Sequence, residues 1–223
     1  MAQIEVAELS KIYDIGGQQV TAVERASVAI GKGEFVSVVG HSGSGKTTLL
    51  SIIGGIMKPT TGRVVFEGND ICTLDDEKLS AYRNEKIGFM FQFASLLPML
   101  TARENVMLPG LFRKGRQGNQ GRAVELLHLV GIGDRGDAYP SQLSGGQQRR
   151  VAIARALMCD PVVILADEPT GDLDEETERD IMDLFRSLNR EKEMTFIFIT
   201  HNLELAAMAQ RKLRMTRGAL FEA

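Results

Sequence analysis

Residues 35–55 run FVSVV, then GHSGSGKT, then TLLSIIGG. The first run has the length and β-branching of a buried strand. The apolar spacing after Lys46 predicts a helix ending near Gly54 and Gly55. Between them Gly40, Gly43 and Gly45 crowd one turn and complete the pattern G-x-x-x-x-G-K-[ST]. A glycine-rich loop at a strand-to-helix junction is a phosphate cradle, because its backbone can bend around phosphate oxygens. Its amides and the helix N-terminus then direct partial positive charge inward. Gly40, His41, Ser42, Gly43, Ser44, Gly45, Lys46, Thr47 and Thr48 are therefore the candidates for holding a nucleotide, with Lys46 on the β and γ phosphates and Thr47 a ligand for magnesium.

The segments around this unit read as alternating strands and helices. Residues 3–9 and 20–30 predict an initial pair of strands, 87–91 (IGFMF) a strand, and Thr101 with Glu104 a capping box that opens a helix. Polar, glycine-rich 113–121 predicts an exposed loop, and 122–130 a helix with one broad apolar face. Ser144 and Gln147 form a second capping box before a helix carrying Val151, Ile153, Ala154 and Leu157. VVILAD at 162–167 and TFIFIT at 195–200 predict buried strands, with a helix over 174–190 between them and a closing hairpin near Thr216, Arg217 and Gly218. The pattern is a mostly parallel α/β sheet interrupted in sequence by a helical insert at roughly 93–158.

Composition narrows the classes of function. With 26 Lys plus Arg against 29 Asp plus Glu, the net charge of −3 argues against wrapping nucleic acid. The strongest basic cluster (Arg211, Lys212, Arg214, Arg217) is short and reads as solvated surface. Cys72 and Cys159 lie far apart with no Cys-x-x-Cys pair, so neither a disulfide framework nor a structural zinc site is expected. The N-terminus lacks the pattern of a signal peptide, and apolar stretches such as 49–57 fall short of the roughly 20 residues that span hydrocarbon. Work at a membrane is therefore expected to run through another chain.

Further candidates lie at strand ends. Asp167 closes an apolar strand and suits magnesium, directly or through water, while the adjacent Glu168 suits polarising the water that attacks a γ phosphate. Gln92 and His201 follow two other strands. On one edge of a parallel sheet they are placed to meet the magnesium or lytic water and the γ phosphate respectively. Ser144, Gly145, Gly146 and Gln147 put a hydroxyl and several amides at a helix start, a second phosphate-binding device without its own lysine.

Taken together, GHSGSGKT at 40–47, Gln92, LSGGQ at 143–147, VVILADE at 162–168, GDLD at 171–174 and His201 resemble the nucleotide-binding subunit of an ABC transporter, in that family's order and over nearly the whole chain. The resemblance implies an α/β fold: a RecA-like P-loop ATPase core with a small antiparallel β region and an inserted helical subdomain. It implies ATP and Mg2+ as cofactors and a head-to-tail dimer with a second ATPase subunit. There Ser144, Gly146 and neighbouring amides of one chain would meet the γ phosphate held by Lys46 of the other. It also implies that Tyr13 stacks on adenine and that Asp174 connects the two sites. Asp172 receives no role, and Asn202 follows His201 where many relatives carry Asp.

Residues 91–109, 166–174 and 200–206 are more narrowly similar to the subfamily of lipoprotein-release, macrolide-export and cell-division ATPases. That similarity implies an ATPase on the cytoplasmic face of the inner or plasma membrane, peripheral through integral-membrane permease subunits. The segment from Gln92 to Glu104, with LLPML at 96–100, would touch them. Alternatives are a nonhydrolytic ATP-binding regulator of a membrane complex and a soluble ATP-dependent clamp of the DNA-repair type. The latter usually needs long coiled coils, for which an insert of this size has no sustained heptads.

Overall fold

The computed structural model describes residues 2–112, 120–171 and 173–223. Two long antiparallel strands, β1 (Ala2–Ile15) and β2 (Gln18–Gly31), open the chain. They extend beyond the expected 3–9 and 20–30 because Gly16 (φ 61°) and Gly17 (φ 84°) form a two-residue turn whose twist matches the flanking strands, so pairing continues through Ile15 and Gln18. β3 (Phe35–Val39) and α1 (Lys46–Ile53) follow as expected.

β4 (Thr61–Phe66), β5 (Asn69–Asp70) and α2 (Asp76–Lys86) come next, in a stretch for which the sequence pattern predicted no element. α2 buries only Leu79 and Tyr82, too few for a periodic apolar signal. Its start is instead set by Asp75, whose carboxylate accepts from the Lys78 amide at 2.8 Å. β6 (Ile87–Met90) stops one residue short of the predicted strand, leaving Phe91 exposed.

α3 (Ala102–Leu111) begins at the expected box: the Thr101 amide donates to Glu104 at 2.8 Å, and the Glu104 amide donates back to the Thr101 hydroxyl at 3.3 Å. α4 (Gln120–Leu129) takes Gln120 and Gly121 into its first turn. The loop predicted over 113–121 therefore ends earlier, and its residues 113–119 lie outside the described ones. α5 (Gly145–Ala156) starts at the Ser144–Gln147 box. β7 (Val163–Asp167), α6 (Glu175–Lys192), β8 (Thr195–Ile199), α7 (Leu203–Ala207) and the hairpin of β9 (Arg211–Thr216) with β10 (Ala219–Glu222) complete the chain.

The strands form a four-stranded antiparallel sheet, β2-β1-β4-β5, and a six-stranded sheet, β10-β9-β3-β8-β7-β6, parallel except for its β10 edge. Alternation along the buried strands sends side chains to opposite faces. Phe35, Met90, Ile164, Phe196 and Phe198 join one core with residues of α3, α4, α5 and α6. Val36, Val38, Val163, Leu165, Ile197 and Ile199 join another with α1 and the antiparallel sheet. The large sheet is thus covered on both faces, as a parallel sheet requires.

In the basic cluster near the C-terminus Arg214 and Arg217 are exposed, as expected, while Arg211 is tied down. Arg211 donates to the Ala29 carbonyl, pairs with Glu34 at 3.1 Å and pairs closely with Glu222, which ties the terminal hairpin to β2 and to the start of β3. No helix among the described residues is long and apolar enough to cross a membrane.

Candidate active site

β3 delivers the chain into the glycine loop and α1 carries it away. A Cβ on Gly45 (φ 104°) would overlap the Ala22 carbonyl oxygen on β2, so this turn tolerates only glycine. Inside the loop Lys46 is buried, and its ammonium donates to the carbonyls of Gly40 at 2.7 Å and His41 at 2.9 Å. Burial holds this ammonium below the usual lysine range, offset in part by the carboxylates of Glu168 and Asp167. The Ser44 hydroxyl is buried without a hydrogen-bond partner among the described residues.

The carboxylates arrive from β7. Asp167 is buried at the strand's last position and hydrogen-bonds the Thr47 hydroxyl. Desolvation raises its carboxyl above the ordinary range, with Glu168 adding repulsion. Glu168 follows in the left-handed region (φ 45°), a strained conformation for a side chain of its size, and its amide donates to the Ile199 carbonyl of β8 at 3.1 Å. That anchor brings His201, just past β8, to Glu168: Nδ1 lies 3.3 Å from Oε2, while the imidazole stays exposed.

These elements enclose a cleft of about 260 Å³ lined by every residue from Ser42 to Thr48, together with Gln92, Asp167, Glu168 and Ala22. Gly40 and His41 border it through the lysine, and His201 through Glu168. Ala22 had no sequence signal, since its part rests on β2 passing over the loop. A lysine, two carboxylates and several hydroxyl side chains line one cleft on a glycine-rich loop. That set suits a polyphosphate and the transfer of its terminal group.

Other predicted residues lie elsewhere on the monomer. Tyr13 does not line the cleft: its phenol donates to the Met57 sulfur at 3.0 Å, and the Lys11 ammonium sits 5.4 Å from its ring centroid. Ser144, Gly145, Gly146 and Gln147 start α5 outside the cleft. The Gln147 amide donates to the Ser144 hydroxyl at 3.2 Å and the Ser144 amide to Gln147 at 3.0 Å, so both side chains are engaged in capping. Asp174 caps α6, accepting from the Thr177 amide at 3.0 Å and hydroxyl at 2.7 Å. Those bonds hold its carboxyl below the ordinary range. Asp172 lies outside the described residues.

Comparison with known proteins matches residues 23–171 to the ABC transporter family. An uncharacterized ABC transporter ATP-binding protein of Thermotoga maritima is 51% identical over 218 residues, covering 97% of this chain and 93% of that protein. The lipoprotein-releasing system ATP-binding protein LolD of Myxococcus xanthus is 43% identical over 224 residues and covers 100% of both. The macrolide export ATP-binding/permease protein MacB of Syntrophobacter fumaroxidans is 43% identical over 99% of this chain, which spans only 31% of that longer protein. The dimeric post-hydrolysis structure of the cassette MJ0796 bound to ADP and Pi superposes with a TM-score of 0.91 at 40% identity, covering 98% of each chain. A family match across most of the chain, full-length relatives and the same fold agree with the cleft's chemistry: the chain belongs to the ABC transporter family, as an ATP-binding and ATP-hydrolysing subunit.

Proposed function

We propose that two copies close head to tail on two Mg-ATP molecules and that this cycle drives integral-membrane permease subunits, in lipoprotein release or a related mechanical export, from the cytoplasmic face of the membrane. The observation that carries this reading is the separation on one chain of two phosphate-binding devices. The cleft holds the lysine and carboxylates, while the amides at the Ser144 end of α5 lie outside it. A second copy supplies what each cleft lacks, and the dimeric, nucleotide-bound relative supports that arrangement.

The residues present fit magnesium. The described residues contain no cluster of three or more His, Cys, Asp or Glu that would make an all-protein cage, whereas Thr47, Asp167 and Gln92 offer oxygens beside a phosphate cradle with a buried, unpartnered Ser44 hydroxyl. Thr47, Asp167 and Gln92 would hold the ion, which when bound would supply positive charge against the charge that builds on the transferring group. The loop amides and Lys46 hold the β and γ phosphates. Glu168 accepts a proton from the attacking water as the new oxygen–phosphorus bond forms and the bond to ADP breaks. His201 steadies Glu168 and the γ phosphate, and the partner's Ser144 end stabilises the equatorial oxygens.

A groove of about 450 Å³ that includes Phe89, Phe91, Leu108, Pro109, Phe112 and Arg155 supports the docking of a permease segment. Phe91 and Phe112 are exposed at its rim, whereas in the LLPML stretch Leu96 packs inward and leaves Leu97 and Met99 outward. Co-expression with the neighbouring membrane subunits and copurification in detergent tests the reading. A complex with ATP-dependent turnover is expected, and failure to bind any of them would overturn it. Phe112→Ser should weaken that complex about tenfold, as removal of an aromatic anchor does, measured by titrating the purified subunit onto the membrane partner.

A further inference from the structure

Arg149 is one of the most buried charges in the protein, only 5% exposed, and it takes no direct part in the cleft. A guanidinium out of water is stable only when its fixed fork of donors finds acceptors. Arg149 finds them in the backbone of two separate loops. Nη1 donates to the carbonyls of Phe91 at 3.2 Å and Gln92 at 2.6 Å, and Nη2 donates to the carbonyl of Gly171 at 3.2 Å.

Each of those loops carries a reacting group. The first presents Gln92 to the cleft. The second is the turn after Glu168, closed by the Gly171 amide on the Glu168 carbonyl at 3.1 Å, so the position of Gly171 sets that of Glu168. Arg149 itself sits on α5, the helix that begins at Ser144. A single side chain therefore spans the loop of Gln92, the turn of Glu168 and the helix that presents Ser144. Arg150, the next residue, belongs to a different set of contacts: it donates to the Val130 carbonyl at 3.0 Å and pairs with Asp180 at 2.9 Å.

We infer that Arg149 is a positioning residue that holds Gln92 and Glu168 in register with the Ser144 end of α5. When a partner's nucleotide engages Ser144, the same guanidinium shifts the water-activating groups of the chain's own cleft. This rests on the head-to-tail reading above. A lysine keeps the charge but, as a point donor, cannot span two loops.

The test is Arg149→Lys beside Arg150→Lys in the complex with the membrane subunits, following kcat, KM and affinity for a fluorescent ATP analogue. Arg149→Lys should lower kcat by about tenfold to a hundredfold, the loss that a displacement near 1 Å produces, with KM and analogue affinity within about twofold of wild type. Arg150→Lys should retain wild-type turnover. Wild-type kcat in Arg149→Lys, or a loss that tracks analogue affinity and folded fraction, overturns the proposal. If Arg149→Lys does not fold, hydrogen exchange on the wild-type complex decides. A nonhydrolysable ATP analogue should change protection of peptides over 91–95 and 168–171 together, and independent changes overturn the coupling. Absence of ATP turnover in wild type with its partner contradicts the head-to-tail reading instead, so the two failures are distinct.

Discussion

Glu168→Gln should reduce kcat for ATP hydrolysis by roughly a thousandfold, the middle of the range for loss of a general base, while Mg-ATP still binds. The amide has the shape of the carboxylate and retains an oxygen toward His201, which lies 3.3 Å from Oε2, but it cannot take a proton from water. It also removes one of the two negative charges that face the incoming phosphates, because Glu168 and the buried Asp167 stand together in the cleft. ATP should therefore be held at least as tightly, and the two copies should stay closed. Single-turnover kinetics should show the lost step, and size-exclusion chromatography should show a dimer that forms with ATP and dissociates with ADP. Turnover within about threefold of wild type would remove Glu168 from the role of base and leave the water to another group.

Lys46→Ala is expected to act earlier, on binding. The ammonium is buried, with desolvation lowering its pKa against the opposing pull of Glu168 and Asp167, and is held over the loop by the Gly40 and His41 carbonyls. Removing it takes away the cation that would face the phosphates and leaves two carboxylates without their nearby positive charge. The expected loss is about 3 kcal/mol of nucleotide affinity, or about a hundredfold in Kd, by calorimetry or fluorescent-analogue titration. Melting of the nucleotide-free protein separates this from unfolding, since the variant should still show a cooperative transition. Affinity within about threefold of wild type, in folded protein, would count against the phosphate contact.

What was legible in the chain was mainly what short-range chemistry decides. The capping boxes at Thr101 and Ser144 form as read, because each needs only a hydroxyl and a carboxylate or amide three residues on, facing amides with no other partner. The five-residue strands β3, β7 and β8 were legible as short, mostly apolar runs, which only a sheet covered on both faces can bury at every position. α2 was not legible, because a surface helix with two buried side chains leaves no periodic trace. The contact of Tyr13 with Met57 was not legible either, because it is set by how β1 lies against the loop after α1.

The sequence by itself determined the glycine loop between strand and helix, the Asp167–Glu168 pair at a strand end and the capped helix start at Ser144, since each is a local backbone shape with its side chains attached. Only the tertiary structure decided which of these meet. The strand order places β8 between β3 and β7, and that order brings His201 to Glu168 and both to the loop of Lys46. It also lets Arg149 reach Gln92, 57 residues away, and join that loop to Gly171. The physical reason is range: caps and turns are fixed by hydrogen bonds within a few residues, whereas strand order follows from packing two apolar faces at once.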